Sequence, residues 1–304
     1  MDMKIEAFFD NITSTITYIV YDPKSRDAIV IDPVLDYNPA ASHTWTDSVD
    51  RVVSFLRQHE LNLHLIMETH AHADHLSGSQ MIKAQFPDAK ISIGSSIVGV
   101  QVLFKQIFDL PDDFPTDGSQ FDRLFNDGEE VQAGTLRFEV MFTPGHTPAC
   151  ASYRFEDAIF TGDALFMPDM GTGRCDFPGG SARDLYHSVK NRLYTLPDAL
   201  RVFVGHDYQP GGRALAYEAP ISEHKKSNVQ LPDDRTLESF LEFRTQRDAQ
   251  LSAPKLFFQS VQVNADAGNL PSPDANRIRY FKIPINIFRP LSQGEIVLNE
   301  ITSD

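Results

Sequence analysis

The apolar positions of this chain fall into short runs broken by polar turns, and the spacing inside the runs alternates between strand-like and helical. Residues 15–21 are almost wholly β-branched or aromatic and residues 28–31 form a continuous apolar run, so both are expected to be strands. Within residues 47–59, Val49, Val52, Val53 and Leu56 recur on one helical face, with Asp47 as the expected N-cap. Residues 63–67 read as a buried strand, 77–86 as a helix, 91–93 as a strand and 98–109 as a helix. Residues 135–142 alternate like a half-buried strand, 151–155 and 158–160 follow as strands, 184–193 as a helix and 202–204 as a short strand.

This order mixes strands and helices without strict alternation and without a repeat of fixed period. It predicts an α/β fold, a sandwich of two mixed sheets with helices outside, in preference to a doubly wound parallel sheet. From about residue 233 the pattern changes. Leu237, Phe240 and Leu241 suggest a helix, residues 264–276 are a Pro- and Asn-rich loop, and residues 279–287 look like a strand. The expected organisation is a main domain over 1–232 and an extension over 233–304 that packs on it and offers an oligomer contact.

Composition narrows the function classes. The chain has 304 residues, 41% hydrophobic and 23% charged, which suits a globular core without disulfide or zinc staples. Its formal net charge of -15 opposes binding to phosphate backbones, so a nucleic-acid partner is not expected. Two cysteines, Cys150 and Cys175, are too few for a disulfide framework and point to a reducing compartment. Residues 1–10 carry one lysine and three acidic residues and no apolar core, unlike a secretion signal or a transit peptide. No run approaches a membrane span in length. The expected location is the cytoplasm, and an organelle protein whose transit peptide has been trimmed would read the same way.

The chemistry is concentrated in Thr69-His70-Ala71-His72-Ala73-Asp74-His75, directly after the buried strand 63–67. Three imidazoles and a carboxylate at a strand end are poor packing material and good metal ligands. Three more strand-end loops add His146, Asp163 and His206, each beside a glycine (Gly145, Gly162, Gly205) that lets the backbone turn or approach closely. Nitrogen and carboxylate donors without cysteine suit zinc or non-haem iron. Five other histidines (His43, His59, His64, His187, His224) are isolated and are assigned no role.

The order His-x-His-x-Asp-His, then His146, Asp163 and His206, resembles the metallo-β-lactamase superfamily. The resemblance implies an αββα sandwich with a metal cleft. In two-metal members one ion would take His70, His72 and His146, the other Asp74, His75 and His206, with Asp163 bridging. A closer resemblance lies in Gly171-Thr172-Gly173-Arg174-Cys175-Asp176-Phe177, which is similar to the persulfide dioxygenase (sulfur dioxygenase, ethylmalonic-encephalopathy protein-like) branch, and especially to its bacterial β-lactamase-like hydrolase subgroup. That branch implies one Fe(II) per chain, held by His70, His146 and Asp163, with three coordination positions open. The other four ligand-type residues would then orient ligands and water.

The implied reaction oxidises glutathione persulfide, or a similar thiol persulfide, with O2 and water to sulfite and thiol. The alternative is a two-Zn(II) thioester hydrolase of the glyoxalase II type. For substrate contacts, Arg174 is the expected carboxylate clamp, Asp176 either meets the substrate amino group or locks Arg174, and Phe177, Tyr208 and Arg213 complete the set. Tyr208 is also the expected hydrogen-bond donor to the substrate or the iron-bound sulfur. Lys225 and Lys226 read as a solvated helix face. Cys175, beside Arg174, reads either as a silent small residue or as a partly ionised thiol that can carry sulfur. The expected partners are the small persulfide, O2 and a second copy of the chain in a homodimer, with no membrane contact.

Overall fold

A computed structural model describes residues 3–287; the ends of the extension expected over 233–304, residues 288–304, lie outside the described residues. The chain begins with β1 (Lys4–Phe9), β2 (Ile16–Tyr21), β3 (Asp27–Ile31), β4 (Val34–Asn38), β5 (His43–Trp45), α1 (Asp47–Gln58), β6 (Asn62–Met67) and β7 (Leu76–Ser77). It continues through α2 (Ser79–Gln85), β8 (Lys90–Gly94), α3 (Ile97–Ile107), β9 (Arg123–Phe125), β10 (Glu130–Ala133), β11 (Leu136–Phe142), β12 (Ala151–Arg154) and β13 (Ala158–Phe160). It then runs through α4 (Ala182–Ser188), β14 (Arg201–Phe203), β15 (Glu218–Pro220), α5 (Ile221–Ser227), α6 (Leu237–Asp248) and α7 (Phe257–Asn264).

Two mixed six-stranded sheets form the frame, in the orders β1-β2-β3-β6-β8-β9 and β10-β11-β12-β13-β14-β15, and a small ribbon β5-β4-β7 lies beside them. The period of two along each strand decides what each face packs against. In β2 and β3, Tyr18, Val20, Ile29 and Ile31 point into the core shared with Phe138, Val140, Tyr153 and Phe160 of the second sheet. The intervening Ile19, Ala28 and Val30 face the other way, onto α1, α2, α3 and α7 through Val49, Leu56, Ile82, Phe104 and Val261. Leu185 and Val189, at α4, and Phe240 of α6 cover the second sheet. This is the α/β sandwich the pattern predicts, with helices on both outer faces.

Several local expectations need correction. Asp47 is the first residue of α1 and Thr46 is the N-cap position; no side chain caps the helix. Residues 279–287 form no strand among the described residues. Their alternating isoleucines, Ile283, Ile285 and Ile287, lie exposed. A period of two makes a strand only where a partner strand is at hand. In the other direction, α7 lies in a stretch that carries no helical periodicity, because Gln259, Ser260, Gln262 and Asn264 are buried alongside its apolar residues.

Candidate metal centre

The ligand-type residues sit beyond the C-terminal ends of β6, β11, β13 and β14, where the two sheets meet. That edge is stitched by backbone bonds: Ile16 donates to Gly205 (2.9 Å) and Asp207 to Ser14 (3.0 Å). Two tyrosines of the inter-sheet core reach up to the loops. Tyr18 donates to the Val204 carbonyl and Tyr153 to the Glu68 carbonyl, each at 2.6 Å. A rigid core thus fixes the backbone from which the histidines project.

One donor atom each from His70, His146 and Asp163 lies within 4.8 Å of the others, and all three residues are buried. Their protonation is set from behind. His146 Nδ1 donates to the Arg174 carbonyl at 2.7 Å, leaving the Nε2 lone pair facing Asp163 Oδ2 at 3.4 Å. Thr69 Oγ1 donates to Asp32 Oδ2 (2.8 Å), so it accepts from His70 Nδ1 (3.0 Å) and leaves His70 Nε2 as the acceptor. His70 Nε2 and Asp163 Oδ1 are buried without a hydrogen-bond partner. Buried polar atoms of this kind are costly unless something binds them. Two imidazole nitrogens and a carboxylate in one cluster fit a divalent iron or zinc ion. Burial, then the neighbouring His72 and His146, holds the pKa of His70 well below its usual range, which keeps it neutral and ligand-ready.

His72 lies outside that trio. Its Nε2 contacts Asp32 Oδ1 at 3.0 Å and Glu68 Oε2 at 3.4 Å. Burial alone would lower its pKa, but Asp32 and Glu68 outweigh that and raise it well above the usual value. Its Nδ1 has no partner, and His72 groups instead with Asp74 and His75. Asp74 contacts His75 Nδ1 (3.0 Å) and His206 Nε2 (3.4 Å), and His206 Nε2 also stands 3.4 Å from Asp163 Oδ1. All seven ligand-type residues therefore converge on one place, as two adjoining groups of three with His206 in contact with both.

Residues to which the sequence assigned no role hold this arrangement. Asp32, at a positive φ of 50°, accepts from the Thr69 amide and hydroxyl and contacts His72. Asn264 of α7 donates to the His72 and His75 carbonyls and accepts from the Ser77 amide, each at 2.8 Å. Asp32 sits at a strand end, as Asp163 does, and Asp32-Pro33-Val34 fits the persulfide dioxygenase resemblance, whereas Asn264 carried no sequence signal. Gly173 has to be glycine for a steric reason, since a Cβ there would lie 2.3 Å from the Asp163 carbonyl oxygen and 3.2 Å from His146 Nδ1.

A cavity of about 780 Å³ opens over His146 and Asp163 and is also lined by Arg174, Phe177 and Tyr208, among others. Phe177 packs its ring against His146 (centroids 5.1 Å), and Tyr208, half exposed, stacks on His206 (5.6 Å). Arg174 is already occupied: Asp176 takes its Nε and Nη2 at 2.6 Å each, and the Ser252 carbonyl takes Nη1 at 2.6 Å. Of the two roles expected for Asp176, the structure shows the lock on Arg174. Arg213 is not brought to the cavity; it pairs with Asp207 and Asp169. Lys225 pairs with Asp198. Cys175 is buried, and burial pushes its thiol pKa up, so the partly ionised thiol is overturned.

Residues 13–206 match the metallo-beta-lactamase superfamily. The chain is 44% identical over 287 residues to a Dictyostelium discoideum protein named Glyoxylase B2, covering 94% of this chain and 98% of that one. It is 32% identical over 206 residues to the human mitochondrial persulfide dioxygenase ETHE1, covering 67% and 68%. The crystal structure of ETHE1 from Myxococcus xanthus superposes with a TM-score of 0.70 at 30% identity, covering 88% of this chain and all of that one. The chain belongs to the metallo-beta-lactamase superfamily.

Proposed function

We propose that this protein is an iron(II) persulfide dioxygenase that oxidises glutathione persulfide, or a similar small thiol persulfide. One persulfide, one O2 and one water give one thiol and one sulfite. The observation that carries this reading is the buried trio of His70, His146 and Asp163, with orphaned donor atoms and with His72 outside it. The similarity to the human persulfide dioxygenase and to the Myxococcus xanthus ETHE1 structure supports it. When bound, iron(II) supplies the redox chemistry that O2 needs, and two imidazoles with one carboxylate leave it open positions.

The chain's own groups do the rest. Arg174, through its carbonyl, and Thr69 fix the imidazole tautomers of His146 and His70. Phe177 and Phe166, both on the cavity wall, keep bulk water off the reacting sulfur. Tyr208 places its phenol in the same cavity, where it can donate to the substrate. The cytoplasm, a homodimer and the lack of nucleic-acid or membrane partners belong to the same proposal. Both cysteines are free and buried, and no helix among the described residues is long and apolar enough to cross a membrane.

A two-zinc thioester hydrolase is the second reading. It is favoured by the adjoining His72, Asp74 and His75 group and by the relative named Glyoxylase B2. An oxygen electrode separates the two. Iron-loaded protein is expected to take up one O2 per glutathione persulfide, and His146→Ala to lose the uptake. Iron-loaded protein that takes up no O2 but cleaves a glutathione thioester would overturn the first reading and support the second.

A further inference from the structure

The cavity over His146 and Asp163 reverses the charge of the chain. Acidic residues outnumber basic ones, 42 to 27, in the sequence, yet the cavity lining has four cations (Arg174, Arg244, Arg247, Lys255) and two carboxylates (Asp74, Asp163). Two of the cations are already used. Arg174 is held by Asp176 and Ser252, and Arg244 by Asp248 and by Gln230 Oε1 at 2.9 Å. Arg247 and Lys255 differ: among the described residues neither side chain has a hydrogen bond or an ion pair. Both are exposed, so they stand where the cavity meets solvent, whereas Asp163 and His146 are buried at its floor.

We propose that Arg247 and Lys255 bind the carboxylate of the thiol carrier, so that the enzyme selects anionic persulfides over uncharged ones. The inference rests on the persulfide reading and names the substrate class within it. An anionic ligand approaching this chain meets an unfavourable field from its net charge. Unpaired cations at the mouth offset that field where a ligand enters. Trp45, Leu251 and Pro254 line the same cavity and offer apolar surface to the carrier's aliphatic atoms beside the two cations. The pairing that locks Arg174 therefore moves the clamp to α6 and to the loop that follows it.

The test uses the full chain and the double variant Arg247→Gln/Lys255→Gln, both positions being exposed. Glutathione, the product thiol, is titrated by calorimetry, and O2 uptake is measured with the persulfides of glutathione and of uncharged 2-mercaptoethanol. The expected result is about tenfold weaker glutathione binding, the scale of one charge-assisted contact. A similar fall is expected in the ratio of kcat/KM for glutathione persulfide over the uncharged persulfide, with Arg247→Lys/Lys255→Arg retaining the ratio. Unaltered glutathione affinity, or an equal loss for both persulfides, would overturn the proposal. Absence of O2 uptake with either persulfide would defeat the dioxygenase reading, while the glutathione titration would still decide whether these cations bind a carboxylate.

Discussion

Replacing Asn264 tests how far the last helix supports the metal loop. Its side chain bonds three backbone groups, the His72 and His75 carbonyls and the Ser77 amide, and it is buried. Asn264→Ala leaves all three groups unsatisfied away from water. At about 1 kcal/mol for each, the low end for a buried orphan, the loss is about 3 kcal/mol. For a chain of this length that corresponds to a fall in melting temperature of roughly 4–6 °C. Asn264→Asp keeps the acceptor for Ser77 but sets a carboxylate against two carbonyl oxygens, so it should cost at least as much. The melt is to be followed on metal-free protein, because a bound ion would add its own stabilisation. A fall of less than about 2 °C in both variants would refute the reasoning.

Gly173→Ala forces a Cβ to within 2.3 Å of the Asp163 carbonyl oxygen, so metal content after dialysis should drop while far-UV circular dichroism keeps its native shape. Asp32→Ala removes the acceptor that orients Thr69 and His72, and a competing chelator should then report metal affinity about 10–100-fold weaker. His224 is fully buried with both ring nitrogens unpartnered, and burial lowers its pKa from 6.5 to about 4. The unfolded chain therefore binds the extra proton between those values, so stability is full above pH 6.5 and falls as pH drops toward 4. His224→Leu should flatten that slope by about 3 kcal/mol across the window in urea titrations at pH 4 and pH 7.

The strands that were legible in the sequence are those whose burial is decided locally. The apolar runs of β2, β3 and β6 are buried on both sides, so their composition alone marks them. The ligands were legible because imidazoles and carboxylates are clustered at strand ends, where packing has no use for them. What stayed hidden depends on distant partners. Helix α7 buries polar residues whose partners lie far away in the chain, such as Asn264 on the His72 loop, and no period reveals that. Arg213 read as a free cation because its sequence neighbours do not show which carboxylates will reach it. Its pairings with Asp169 and Asp207 appear only once the loops are folded, whereas the Asp176 lock on Arg174 was already one of the two roles the sequence offered. The alternating 279–287 segment shows the reverse error, a strand pattern without a partner strand among the described residues.

The most direct test of the central claim is elemental analysis of protein purified without oxygen, for the parent chain, Asp163→Ala and His75→Ala. One iron per chain, lost in Asp163→Ala and kept in His75→Ala, is the predicted result. Two zinc ions per chain, with one lost in His75→Ala, would contradict it.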